Sequence, residues 1–467
     1  MKIYNFLTIA FLLFFFFSAA QDTKYYRYDT DLLPKEFHQR RREAFRKMMP
    51  EKSVAVFFAA PVRNRSGDDD YSYHQQPDFY YLTGFTEENS MLIIFKEEQN
   101  IGGTRTNEIL FVEDKDPSEE IWKGRRLGKD GVSSVLGIKT GMLNSDFEDL
   151  QFDFKKFDKV MHLKFPQGMV HHRGEKADLY NLVDQFKNKY DGEKEDAFTL
   201  FEDMAKLRMI KQNEELTLMR KAIDMTCDAE KEVMRALIPG MYEYQVQAIL
   251  EFEFKNNGSE YVGFPSICGG GENSCTLHYE SNRKNLRDKD MIIVDIGAEY
   301  HGYSADVTRS LPVNGKFSEE QKSIYNLVLK AQAEGIKMCT KEHSFWEPHK
   351  AAKKIIAEGL KELGIIKNED NVNKYFMHST SHHLGLDVHD IQTSFDLEVG
   401  NVITVEPGIY IPEGSDCDSK WWNIGIRIED DVLITEIGSE VLSAKAPRTI
   451  EEIEALMKET SLFKKLK

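Results

Sequence analysis

Four carboxylates and one imidazole recur along the second half of the chain, each inside a short run built to hold it still. Asp295 and Asp306 stand in VDIGAEYHGYSADVTR, His382 in HSTSHHLGLDVHD, Glu406 in ITVEPGIY and Glu429 in GIRIED. Acids drawn together against apolar walls repel one another and resist ionisation. A chain that brings this set to one place needs cations among the acids, and that requirement constrains its fold more than any other feature.

The stretch MIIVDIGAEYHGYSADVTRS reads as two strands joined by a turn near residues 299–302. With Tyr300-His301 as a two-residue loop, Asp295 lies directly opposite Asp306, on one face, with Cβ atoms about 4.5–5.5 Å apart. Two carboxylates that close lose a charge through a raised pKa unless a cation lies between them. A solvated pair of hairpin acids is the plain alternative. The apolar flanks argue for metal instead, because buried unpaired acids are costly.

His378, His382, His383 and His389 place four imidazoles in twelve residues, with Gly385 allowing close backbone approach. One reads as a metal ligand and the others as proton handlers. His378 and His382 share a face only if the segment is helical, and the intervening Ser-Thr-Ser leaves that open. Glu406 closes a strand before the Pro407-Gly408 turn. Strand alternation puts Gly425, Arg427 and Glu429 on one side, where Arg427 can neutralise and orient a carboxylate. Each glutamate alone reads as a solvated strand end. Together with the aspartates they read as the ligands of a two-metal hydrolytic centre. The oxygen-rich set favours two divalent ions, Mn²⁺ foremost, with Co²⁺ and Zn²⁺ also fitting.

The first twenty residues read as a leader outside the fold. Lys2 gives a positive start, Phe6 to Phe17 is apolar, and Ser18-Ala19-Ala20 is a small-residue cleavage site. About 12–15 apolar residues fall short of the roughly 20 a spanning helix needs, so export with cleavage near Ala20, to a periplasm or the exterior, is expected rather than stable membrane insertion. The chain has 61 Lys+Arg against 78 Asp+Glu, a net charge of −17, which argues against nucleic acid or an anionic membrane as partner. Five cysteines, an odd number, do not form a disulfide framework. Cys268 and Cys275 flank a glycine-rich turn and could pair, but buried thiols are the simpler reading.

The fold class expected is α/β (α+β) in two domains, 21–195 and 205–460, joined by the charged segment Asn188 to Asp196. In the first, strand-like runs begin at Ser53, Met91 and Glu108. In the second, an amphipathic helix over 207–226 opens the domain. Helical patterns at 228–237, 243–256, 319–339 and 346–363 then alternate with strand patterns at 291–296, 305–310, 402–405, 425–428 and 431–434. That order reads as two similar α+β halves.

These residues resemble the pita-bread metallopeptidases, which include methionine aminopeptidase, aminopeptidase P and prolidase. The likeness covers 205–450 and rests on the five ligands in order and on Ser274-Cys-Thr-Leu-His278-Tyr upstream. It implies that Asp295 binds one metal, that Asp306 and Glu429 bridge both, that His382 and Glu406 bind the other, and that a bridging hydroxide is the nucleophile. His278 and His389 look like the family's substrate-contacting, proton-handling histidines, with Glu406 also at the catalytic centre. His-x-x-x-His-x-Leu-Gly-Leu-Asp-Val-His-Asp resembles the proline-specific branch, as does Asp78-Phe-Tyr-Tyr-Leu-Thr-Gly-Phe in the first domain.

The resemblance thus implies an N-terminal domain of the creatinase and prolidase type, followed by a pita-bread catalytic domain. It further implies an Xaa-Pro aminopeptidase acting on proline-containing peptides, with His378, Arg427 and Phe264 lining the substrate pocket and a homo-oligomer, dimeric or tetrameric, as the assembly. Two positions depart from the pattern. Ser379 stands where most relatives have Gly, and Phe264 where some have Tyr. An Xaa-Pro dipeptidase is the nearest alternative. A creatinase-like amidohydrolase, or a binding module on the same scaffold, would have lost ligands that this chain keeps.

Overall fold

The computed structural model describes residues 28–170, 177–190, 192–461 and 463. The leader expected over residues 1–20 lies outside them. Among the described residues no helix is long and apolar enough to cross a membrane. The contacts divide the chain after Ala197.

The first unit is built on a five-stranded sheet in the order Gly141–Leu143, Thr104–Val112, Met91–Ile101, Ser53–Phe58, Lys159–Met161. The three inner strands are antiparallel, and each outer strand runs parallel to its neighbour. Every residue of Ser53–Phe58 is buried, as expected of a strand covered on both faces. Phe45, from the helix Lys35–Met48, meets Phe57 edge-on, and Phe58 meets Phe186 of the helix Leu179–Lys189 in the same way. The charged segment read as a linker is fastened to this unit. Glu195 bridges Val160, and Lys194 Nζ donates to the carbonyls of Lys155 and Phe157.

In the second unit the order of elements repeats. The helices Asn213–Ala236 and Glu243–Asn256 precede one set of antiparallel strands, and Glu319–Lys337 and Glu347–Glu362 precede another. One apolar core, from Ala229 to Met457, runs through both halves. The single helix expected over 207–226 is in fact the end of one helix, Ala197–Met209, and the start of the next. The break falls where Gln212 and Glu215 form a capping box and Lys211 N–H bonds to the Gly400 carbonyl, satisfying donors that a continuous helix would have used internally. The helical pattern from Asp228 continues that second helix.

The hairpin differs from the expected register by two residues. Tyr300 pairs with Tyr303, so the loop is His301-Gly302 rather than Tyr300-His301. Both loop residues have positive φ, 48° and 85°, the backbone of a type I′ turn, and Gly at the second position favours it. Asp295 consequently faces Thr308, and Asp306 lies beyond the end of the strand Val307–Pro312. A slip of two preserves the face, so both aspartates still point the same way.

Candidate metal centre

Each acid arrives on a different piece of local structure. Asp295 is the fifth residue of the strand Met291–Ile296, and its Oδ2 accepts from Arg427 Nη2 at 2.5 Å. Arg427 ends the strand Ile424–Arg427, whose partner Gly408–Ile411 carries Tyr410. The guanidinium donates to the Tyr410 hydroxyl at 2.8 Å and to Thr308 Oγ1 at 3.3 Å. Tyr410 O in turn lies 2.8 Å from His378 Nε2. A chain of contacts therefore runs from His378 through Tyr410 and Arg427 to Asp295.

Glu429 lies two residues beyond that strand, immediately before the strand Asp430–Thr435. Its N–H donates to the Thr308 carbonyl, and the Thr308 hydroxyl donates to Glu429 Oε2 at 2.5 Å. Asp306 is held through its backbone, with its N–H on Asp431 Oδ2 at 3.2 Å. His382 and Glu406 are fixed by exchange between two segments. The Thr404 N–H bonds to the His382 carbonyl, the His382 N–H to Thr404 Oγ1, and the Glu406 N–H to the Thr380 carbonyl. The His382 ring is oriented by its Nδ1 at 3.0 Å from the His383 carbonyl, which turns Nε2 inward. There it lies 3.3 Å from Asp306 Oδ2 and 3.6 Å from Glu406 Oε1. The 378–382 segment is not helical, yet His378 Nδ1 also comes within 3.6 Å of Glu406 Oε2.

The ligand atoms of Asp306, His382 and Glu429 lie within 4.8 Å of one another. The same cavity, about 460 Å³, is lined by Asp295 and Glu406, by His278, His378 and His389, and by Arg427 and Phe264. Of the four clustered imidazoles three reach this site, whereas His383 is buried away from it with its ring stacked on Phe345. Burial, then the neighbouring Asp295, Asp431 and Glu406, drives the Asp306 carboxyl far above its usual range. Burial, then Asp306, Glu406 and Asp295, does the same to Glu429. Glu406 rises to about 7, chiefly by burial, with His382 and Arg427 opposing. Asp295 Oδ1 is buried with no hydrogen-bond partner among the described residues. Crowded buried acids with a spare oxygen and one imidazole turned among them fit divalent cations. Burial also lowers His389, helped by His382 and His278, and takes His378 down to about 4, so both rings are neutral near pH 7.

Tyr410, Thr308 and Asp431 were not selected from the sequence. Thr308 shares a strand face with Asp306 and was within reach of the alternation argument. Tyr410 sits in a plain apolar strand and carries no signal of its own. None of the five cysteines is bridged; Cys268 is buried and Cys275 half-buried.

Residues 217–436 match metallopeptidase family M24, and residues 37–159 match the aminopeptidase P N-terminal domain. Fold and donor set together define a hydrolase that works with divalent metal ions. The chain is 36% identical over 438 residues to an Xaa-Pro aminopeptidase of Escherichia coli, covering 90% of this chain and 97% of that one. It is 33% identical to Xaa-Pro aminopeptidase 3 of Homo sapiens, covering 87% and 81%. The solved structure of aminopeptidase P from E. coli with the inhibitor Pro-Leu superposes with a TM-score of 0.82 at 35% identity, over 91% of this chain and 98% of that one. The chain belongs to metallopeptidase family M24, and its first unit carries the aminopeptidase P N-terminal domain.

Proposed function

We propose that this chain removes the N-terminal residue from peptides with proline second, using two divalent cations held by Asp295, Asp306, His382, Glu406 and Glu429. The observation that carries the reading is the convergence of these five side chains on one cavity, in which burial and neighbouring acids hold the Asp306 and Glu429 carboxyls far above the usual carboxylate range. Mn²⁺ is the preferred ion, because the donor set is four carboxylates to one imidazole and lacks sulfur. Bound there, two cations lower the pKa of a water and polarise the scissile carbonyl.

The chain's own groups do the rest. Arg427 locks Asp295 and, through Tyr410, the His378 ring. His389 and His278 can donate to the developing oxyanion or to the departing nitrogen. That nitrogen carries no N–H when it belongs to proline, so recognition falls to ring shape, for which Phe264 and Ile267 supply apolar wall. Substrates that separate this activity from a dipeptidase are an Xaa-Pro dipeptide and an Xaa-Pro-Yaa tripeptide. Cleavage of the tripeptide is expected, and hydrolysis of the dipeptide alone would sink the reading. The double variant Asp306→Ala, Glu429→Ala should lose bound metal and activity together; full activity would refute the assigned ligands.

A further inference from the structure

The loop from His382 to His389 is anchored by a buried ion cluster that binds neither substrate nor metal in the reading above. Arg208, in the last turn of Ala197–Met209, and Lys211, in the break that follows, are 2% and 5% exposed. Arg208 Nη2 donates to Asp387 Oδ2 at 2.6 Å and to Asp390 Oδ1, and Lys211 Nζ donates to Asp390 Oδ2 at 2.8 Å. Both oxygens of Asp390 are therefore held by cations, and Asp390 is the residue after His389. Burial alone would raise its carboxyl, but Arg208 and Lys211 outweigh burial and hold it below the usual carboxylate range.

The loop is closed on itself around this anchor. The Asp390 N–H bonds to the His383 carbonyl at 2.9 Å and the Gly385 N–H to the Asp387 carbonyl at 3.1 Å. A Cβ at Gly385 would stand 2.2 Å from Asp390 Oδ2 and 3.0 Å from Lys211 Cε, so only glycine lets the chain pass over the cluster. The anchor is itself fixed, because the Lys211 N–H bonds to the Gly400 carbonyl and Asn401 Nδ2 to the Met209 carbonyl. At the far side of the loop the His382 and His389 rings meet edge-on, with centroids 4.3 Å apart.

Buried ion clusters contribute little net stability over apolar packing of the same volume. Their charge-assisted bonds are directional, however, and fix where the attached backbone lies. We propose that Arg208 and Lys211 are positioning residues that hold the His389 imidazole in the cavity by clamping Asp390, with Asp387 as a second hold on the same loop. The inference rests on the reading of His389 as a substrate-contacting group.

A double-mutant cycle tests it in the full-length, Mn²⁺-loaded protein on an Xaa-Pro-Yaa tripeptide. Arg208→Lys keeps the charge but removes the planar guanidinium whose Nη2 donates to both carboxylates. Alone it should lower kcat by about 10- to 100-fold, the usual effect of misplacing a catalytic group by about 1 Å, with bound Mn²⁺ unchanged. In a His389→Ala background the same substitution should cost almost nothing more. An equal loss in both backgrounds means that Arg208 acts elsewhere, and overturns the inference while leaving the aminopeptidase reading intact. Full activity of His389→Ala alone removes the role assigned to His389, and the inference with it.

If Arg208→Lys fails to fold, Asp387→Asn, whose side chain is 45% exposed, runs the same cycle. A second readout needs no turnover. In metal-free protein labelled at the histidine rings, the His389 resonance, assigned by its absence from His389→Ala, should shift on substitution of Arg208 or Asp387. An unmoved signal overturns the proposal.

Discussion

Glu230 lies fully buried in the helix Asn213–Ala236, and neither of its carboxyl oxygens has a hydrogen-bond partner among the described residues. Burial pushes its pKa far above 4.5, with Arg309 opposing and Asp295 reinforcing. A group whose folded pKa is raised supplies stability below its unfolded pKa and withdraws it as pH climbs toward the folded value. Glu230→Leu removes both the unpaired polar group and this slope. The variant should melt above the parent at pH 8, and the gap should narrow as pH falls toward 5. A gap that stays constant with pH would show that Glu230 keeps a charge and a partner in solution. Nothing near Glu230 in the sequence marks it, since one acid per helical turn is ordinary. The site acids were legible because each stands within or at the end of an apolar run, where an acid needs a reason. Tyr410 fits its strand without conflict, so only the structure connects it to Arg427.

Among the elements, the hairpin around the two aspartates carries the tightest constraint. A Cβ at Gly297 would lie 1.7 Å from the carbonyl oxygen of Ala305, the residue before Asp306. That oxygen is backbone and cannot swing aside, so Gly297→Ala must displace the segment that carries Asp306. The expected result is a folded protein with Mn²⁺ affinity reduced about 10- to 100-fold, the range seen when the support of a metal ligand is lost. Titration of the metal-free variant measures it, and parental affinity would mean that the hairpin yields elsewhere. Strand identity was readable here from the apolar runs on either side. The register was not, because Tyr300-His301 and His301-Gly302 both leave a two-residue loop and only the positive φ of both members favours the second. The helix break at residues 210–212 was hidden for a related reason: apolar spacing continues through it, and the contact that stops it comes from Gly400, far along the chain.

At the scale of the whole molecule, one unit holds the buried acids and the other holds none of the candidate ligands. A cation that binds only the native state stabilises it by about 2.7 kcal/mol at a hundred times its Kd. Here the ion also relieves the repulsion that drives Asp306 and Glu429 toward their protonated forms. Protons and metal compete for the same oxygens, so metal protection should be larger at pH 8 than at pH 6. Hydrogen exchange on the intact chain resolves where the protection lands. Mn²⁺ should slow exchange in the strands Met291–Ile296, Val402–Val405 and Asp430–Thr435, which build the site. It should leave Ser53–Phe58 and Met91–Ile101 of the first unit unchanged. Slowing of equal size in both sets would mean that the two units open as one cooperative body. Protection confined to the second unit would place the metal's contribution to stability where the acids are, and would make chelation a selective way to loosen that half of the chain.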